Sequence, residues 1–129
     1  MTDKQNPHEN VLGRLQAALQ RWYKGDPSAY ISLFAEDLTY FAPVTNGRLE
    51  GGKALKGLLA PLAGKINVAR FEVLNPKLQL HGDIGVLTYN ISEYAGDGSV
   101  AVRWNSTEVH RRSGAEWQII HAHWSLIPN

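Results

Sequence analysis

Apolar residues recur at helical spacing early in the chain. Val11, Leu12, Leu15, Ala18, Leu19 and Trp22 fall on one stripe, as expected of a helix with one face on a core. Asn6 stands before the stripe as an N-cap, with Pro7 at the first helical position and Glu9 three residues beyond the cap. Gly25 ends this helix. Asp26-Pro27 opens a second, whose apolar side is Tyr30, Ile31 and Phe34. Leu38-Thr39-Tyr40-Phe41 reads as a short strand ended by Pro43, and Asn46-Gly47 as a turn. Gly51-Gly52 leads into a third helix with Leu55, Leu58, Leu59 and Leu62 on one face, closed by Gly64.

Beyond Gly64 the pattern changes to strand. Candidate strands cover about 66–74, 77–82, 84–95, 100–112 and 116–127. They are separated by turns at Asn75-Pro76, Gly82-Asp83, Gly96-Asp97-Gly98 and Ser113-Gly114-Ala115. Short turns between successive strands imply antiparallel pairing. The expectation is a single α+β domain over residues 1–129, with residues 1–5 as a frayed tail. Three N-terminal helices would pack on one face of a bent antiparallel sheet and enclose a pocket.

The stretch Trp117–Ser125 is the most informative. Unbroken alternation along a strand puts Ile119, His121, His123 and Ser125 on one face and Gln118, Ile120, Ala122, Trp124 and Leu126 on the other. Large apolar groups on both faces suggest a strand covered on both sides. Two imidazoles on one such face could line a pocket.

Composition narrows the function classes. The 129 residues carry 13 basic and 12 acidic side chains, for a net charge of +1, with no basic run to mark a nucleic-acid surface. Cysteine is absent, which excludes disulfides, thiolate metal sites and a cysteine nucleophile, and fits a cytoplasmic protein. The first residues lack an apolar signal-peptide core, and no apolar run is long enough for a membrane span. Gly51-Gly52 lacks the spacing of a phosphate-binding loop.

Several residues in order carry a family resemblance: Gly25-Asp26, Tyr30, Thr39, Phe41, Pro43, Gly47-Arg48-Leu49-Glu50-Gly51, Asn75-Pro76 and Tyr94. Thr107, His110-Arg111-Arg112, Gly114, Trp117-Gln118, His121, His123 and Ser125 continue the set. Together they resemble the association (hub) domain of calcium/calmodulin-dependent protein kinase II, over about residues 10–127. That domain lies within the nuclear transport factor 2-like, or SnoaL-like, superfamily, which has a cystatin-like cone fold. The resemblance implies a free-standing, non-kinase domain that forms a homodimer or a larger ring and holds a small molecule. No cofactor is expected, and the charge and apolar patterns point to neither nucleic acid nor membrane as a partner.

The departures from the family are chemical. The hub pocket's arginine positions align with Asn90, Glu108 and Trp124, and its histidine position with Arg70. Three cations are lost and a carboxylate is gained, so the hub's preference for anions is not carried over. The related ketosteroid isomerases keep a base directly before a Pro-Val pair, where this chain has Ala42 before Pro43-Val44. Their oxyanion-donating tyrosine aligns near Ala18. Proton transfer by that route is not expected.

The residues that could carry chemistry are His121, His123 and Glu108. The histidines could act as acid and base or simply bond within the sheet. A Gly114-Ala115 turn of two residues would set Glu108 opposite His121, and the three could then approach a metal site, although no metal is expected. Alternatively Glu108 forms an ion pair with Arg70, Arg103 or Arg112. Trp22, Tyr40, Arg70, Tyr89, Asn90, Trp104 and Trp124 are the candidate pocket residues. An alternative function is a cofactor-independent lyase, isomerase or hydrolase acting on a small hydrophobic substrate.

Overall fold

A computed structural model of the chain describes residues 6–128. The expected frayed tail at 1–5 lies outside the described residues. Helix α1 spans Pro7–Tyr23, and the Asn6 side chain accepts hydrogen bonds from the amides of His8 and Glu9, as an N-cap should. Val11, Leu15, Ala18, Leu19 and Tyr23 form its buried stripe. Gly25, at φ 98°, turns the chain away; its carbonyl accepts from the amide of Gly64, and the Tyr23 carbonyl accepts from that of Val68. A side chain at Gly25 would meet the Ile66 carbonyl at 3.2 Å.

Helix α2 is only Ser28–Ile31. Phe34 belongs not to this helix, as its spacing suggests, but to strand β1, Phe34–Phe41. The short strand β2, Leu49–Glu50, pairs with β1. Helix α3, Gly52–Leu59, continues as a tighter turn over Ala60–Leu62. Leu55 and Leu59 are its buried residues.

Four long strands follow: β3, Arg70–His81; β4, Ile84–Tyr94; β5, Val100–Ser113; and β6, Glu116–Leu126. Segments 66–74 and 77–82 are one strand, because Asn75-Pro76 makes a bulge instead of a turn. Pairing of β3 with β4 slips between Leu74 and Lys77, where Asn75 has φ 51° and Pro76 has no amide hydrogen to donate.

The sheet order is β2-β1-β6-β5-β4-β3. Successive strands are antiparallel as expected, but β1 lies parallel to β6, with Phe34 opposite Ile119 and Tyr40 opposite Ala122. No short turn connects those two strands, so their direction could not be read from turns. The α+β class holds, with the helices packed against a six-stranded sheet.

A second bulge sets the site. The β5–β6 turn has two residues, and Ser113 faces Glu116. The register then slips: His110 pairs with Ile119 but Val109 pairs with His121, leaving Ile120 extra. Alternation inverts at that residue. Trp117 and Ile119 face the core before it, and Ala122 and Trp124 after it. His121 and His123 therefore do not share a face with Ile119.

Candidate functional site

The helices and the inner face of the sheet enclose a cavity of about 250 Å³. Its walls are Leu19, Trp22 and Tyr23 from α1, Tyr30 from α2, Tyr40 from β1, Leu59 and Leu62 near α3, Trp104 from β5 and Trp124 from β6. Ala42, Pro43 and the exposed Val44 line its rim. The rings interlock edge to face: Trp22 with Tyr30 at 5.7 Å, Tyr30 with Trp124 at 6.2 Å and Trp104 with Trp124 at 5.8 Å.

Glu108 lies fully buried on the inner face of β5. Its Oε2 accepts from the Tyr89 hydroxyl at 2.6 Å and the Tyr30 hydroxyl at 3.0 Å. Its Oε1 is 3.0 Å from His110 Nε2. The indole of Trp124 donates in turn to the Tyr30 hydroxyl at 3.1 Å. A buried carboxylate is tolerable only with such a set of donors. The expected ion pair with Arg70, Arg103 or Arg112 is replaced by this network. Burial, and then the Glu108 charge, push the Tyr30 and Tyr89 hydroxyls well above their ordinary pKa. Tyr40 is raised by the same two causes, and among the described residues its hydroxyl has no hydrogen-bond partner.

A second carboxylate stands at another part of the wall. Glu93 Oε2 accepts from the Tyr23 hydroxyl at 2.7 Å and from the Trp104 indole at 2.8 Å. Burial and the Glu93 charge raise the Tyr23 hydroxyl strongly. Among the described residues no cation pairs with Glu93.

The expected grouping of His121, His123 and Glu108 is taken apart by the Ile120 bulge. Glu108 pairs with Ala122 and points inward, while both histidines lie on the outer face of the sheet. There His121 Nδ1 is 2.8 Å from Thr39 Oγ1, and the Phe41 ring packs on His121 and His123 at 5.8 and 5.2 Å. Burial first, then the neighbouring His123, lowers the His121 pKa. Among the described residues no three His, Asp or Glu side chains gather as metal ligands.

Of the expected pocket residues, Trp22, Tyr40, Trp104 and Trp124 line the cavity. Tyr89 lies behind the wall, bonded to Glu108. Arg70 and Asn90 are elsewhere. The Arg70 guanidinium sits 3.9 Å above the Tyr94 ring, and Asn90 donates to the Asn105 side chain and the Trp104 carbonyl. Tyr23, Tyr30, Glu93 and His110 were not among the expected site residues. Their signal was present: Glu93 continues the alternation of Leu87, Tyr89 and Ile91, and His110 that of Glu108.

The profile of the calcium/calmodulin dependent protein kinase II association domain matches residues 8–128. The chain belongs to this family. Among solved structures, the association-domain chain is similar to a protein of Parabacteroides distasonis provisionally described as a ketosteroid isomerase. The two are 31% identical, with 95% of this chain and 89% of that chain covered and a TM-score of 0.82. The CaMKII hub of S. rosetta is 23% identical, with 95% and 98% covered and a TM-score of 0.72. An NTF2-like protein of unknown function from Pseudomonas putida is 21% identical, with 92% and 85% covered and a TM-score of 0.78. The family and the fold are those the sequence resemblance implied. Among curated proteins none matches the chain. No described helix is long and apolar enough to cross a membrane.

Proposed function

We propose that this chain is a self-associating domain without kinase activity that holds a small, mainly apolar molecule in its aromatic cavity. The cavity carries this reading. A space of about 250 Å³ walled by six aromatic side chains, with polar atoms behind the walls, suits a small ligand better than solvent. Self-association is supported by the family and by the S. rosetta hub, and the outer face, with half-buried Phe41 and His121 and exposed His123, offers a surface for it. In this reading the histidines serve association. We take the assembly as a homodimer or a larger ring, in the cytoplasm, with neither nucleic acid nor membrane as partner.

Native mass spectrometry of gently purified protein tests both parts. A dimer or ring carrying extra mass is the expected result. An empty monomer across micromolar concentrations would sink the reading.

The Parabacteroides relative favours a second reading, a cofactor-independent lyase, isomerase or hydrolase. Ala42 at the cavity rim offers no base there, so the unpartnered Tyr40 hydroxyl and Glu108 would have to supply the polar chemistry. Turnover lost in a Tyr40→Phe variant with unchanged ligand binding would favour this alternative.

A further inference from the structure

The charges around the cavity are unbalanced. Six of its lining side chains are aromatic, and none is Lys or Arg. Two carboxylates stand directly behind those rings. Glu93 is held by Tyr23 and Trp104, and Glu108 by Tyr30. All three donors to Glu93 and Glu108 named here are wall residues, so the negative field reaches the cavity through its own lining. Glu108 also lies 3.0 Å from the His110 ring nitrogen. Glu93 is half-buried, its donors are a phenol and an indole, and it has no cationic partner among the described residues.

Tyr40 adds an independent observation. It is 5% exposed and lines the cavity, and its hydroxyl has no partner among the described residues. A hydroxyl is a free rotor with one proton to donate and two lone pairs to accept with, so it can present a lone pair to the cavity. An N–H donor would find an acceptor there. Aromatic rings set at steep angles to one another are also the surroundings that favour a partly desolvated cation, because each ring face carries negative potential.

We infer that the pocket selects a protonated amine with an apolar body, its ammonium group held among the aromatic walls and at the Tyr40 hydroxyl, with Glu93 and Glu108 behind. This rests on the ligand-binding reading above and adds the ligand's charge class. No covalent step is involved.

The test is isothermal titration of the purified protein with three matched probes at pH 7: cyclohexylmethylamine, cyclohexylmethanol and cyclohexanecarboxylate. The amine should bind at least about tenfold more tightly than the alcohol, the scale of a cation–π contact in a partly desolvated site, and the carboxylate should bind most weakly. Glu93→Gln keeps an oxygen for Tyr23 and Trp104 while removing the charge. It should erase most of the amine preference and leave alcohol binding within about twofold, a tenfold step being 1.4 kcal/mol. Equal binding of amine and alcohol, or tighter binding of the carboxylate, overturns the charge assignment and leaves the pocket reading standing. An amine preference that survives in Glu93→Gln overturns the role of Glu93. Failure of all three probes to bind removes the pocket reading itself.

Discussion

Replacing Glu108 by leucine is the sharpest test of how this interior is held together. The side chain is fully buried and serves three partners: the Tyr30 and Tyr89 hydroxyls and His110 Nε2. Leucine fills much of the volume but accepts nothing. Each stranded buried polar group costs about 1–3 kcal/mol. Three such partners, with partial relaxation around the new side chain, bring the total to about 3–5 kcal/mol. For a chain of this length, 1 kcal/mol moves the melting temperature by roughly 3–5 °C. Glu108→Leu should therefore melt on the order of 10–20 °C lower. Glu108→Gln keeps an oxygen for the two tyrosines and turns its amide toward His110, which can accept as the Nδ1–H tautomer. Its loss should be about 1 kcal/mol. Adding Tyr89→Phe to Glu108→Leu removes one stranded hydroxyl and should restore part of the lost stability. Thermal and urea unfolding followed by tryptophan fluorescence read all four proteins. Protein concentration is held fixed, because self-association contributes to apparent stability. Wild-type stability in Glu108→Leu, or equal losses in the leucine and glutamine variants, would refute the account of Glu108 as the acceptor that organises these partners.

Two pH responses follow from the same geometry. Tyr23, Tyr30, Tyr40 and Tyr89 all have folded-state pKa values above the ordinary 10.0. The neutral form is favoured in the fold, so this stability is complete below pH 10 and is lost as pH rises above it. Tyrosinate absorbance should thus emerge together with unfolding, and an early titration of four tyrosines in intact protein would contradict the burial described. His121 has the opposite sign: its folded pKa lies below 6.5, so its contribution is present above pH 6.5 and falls as the imidazole is protonated. If the outer face joins copies of the chain, association measured by analytical ultracentrifugation should weaken between pH 7 and 5, and His121→Asn should flatten that dependence.

Local pattern carried most of the architecture. The α1 stripe, its Asn6 cap and the alternation of β4 and β5 were readable because one face of each element meets the core. What escaped was whatever depends on a single inserted residue or a distant partner. Ile120 has ordinary strand chemistry, and nothing in its type announces that it will bulge; yet it decides that Glu108 and the two histidines lie on opposite sides of the sheet. Asn75-Pro76 carries a turn signature but interrupts the pairing of one strand with its neighbour. Phe34 fits either a helical stripe or a strand and was claimed by β1 through its long-range pairing with Ile119. The aromatic lining was legible as a class. Its hydrogen-bonded carboxylates were only half legible: Glu108 stood out as a departure from the family, and Glu93 was one acid among many.

The parallel seam between β1 and β6 also bears on how the protein comes into being on the ribosome. Phe34 cannot meet Ile119, nor Tyr40 meet Ala122, until the last strand has emerged from the exit tunnel. Until then one edge of β1 is an open row of amides and carbonyls, with only the two-residue β2 on its other side. The nascent chain must carry that sticky edge from the emergence of β1 until β6 has left the tunnel, an interval set by translation speed. Conditions that stall translation within residues 100–126 should feed aggregation and proteolysis more than stalls elsewhere, and chaperones that shield strand edges should matter most in that interval.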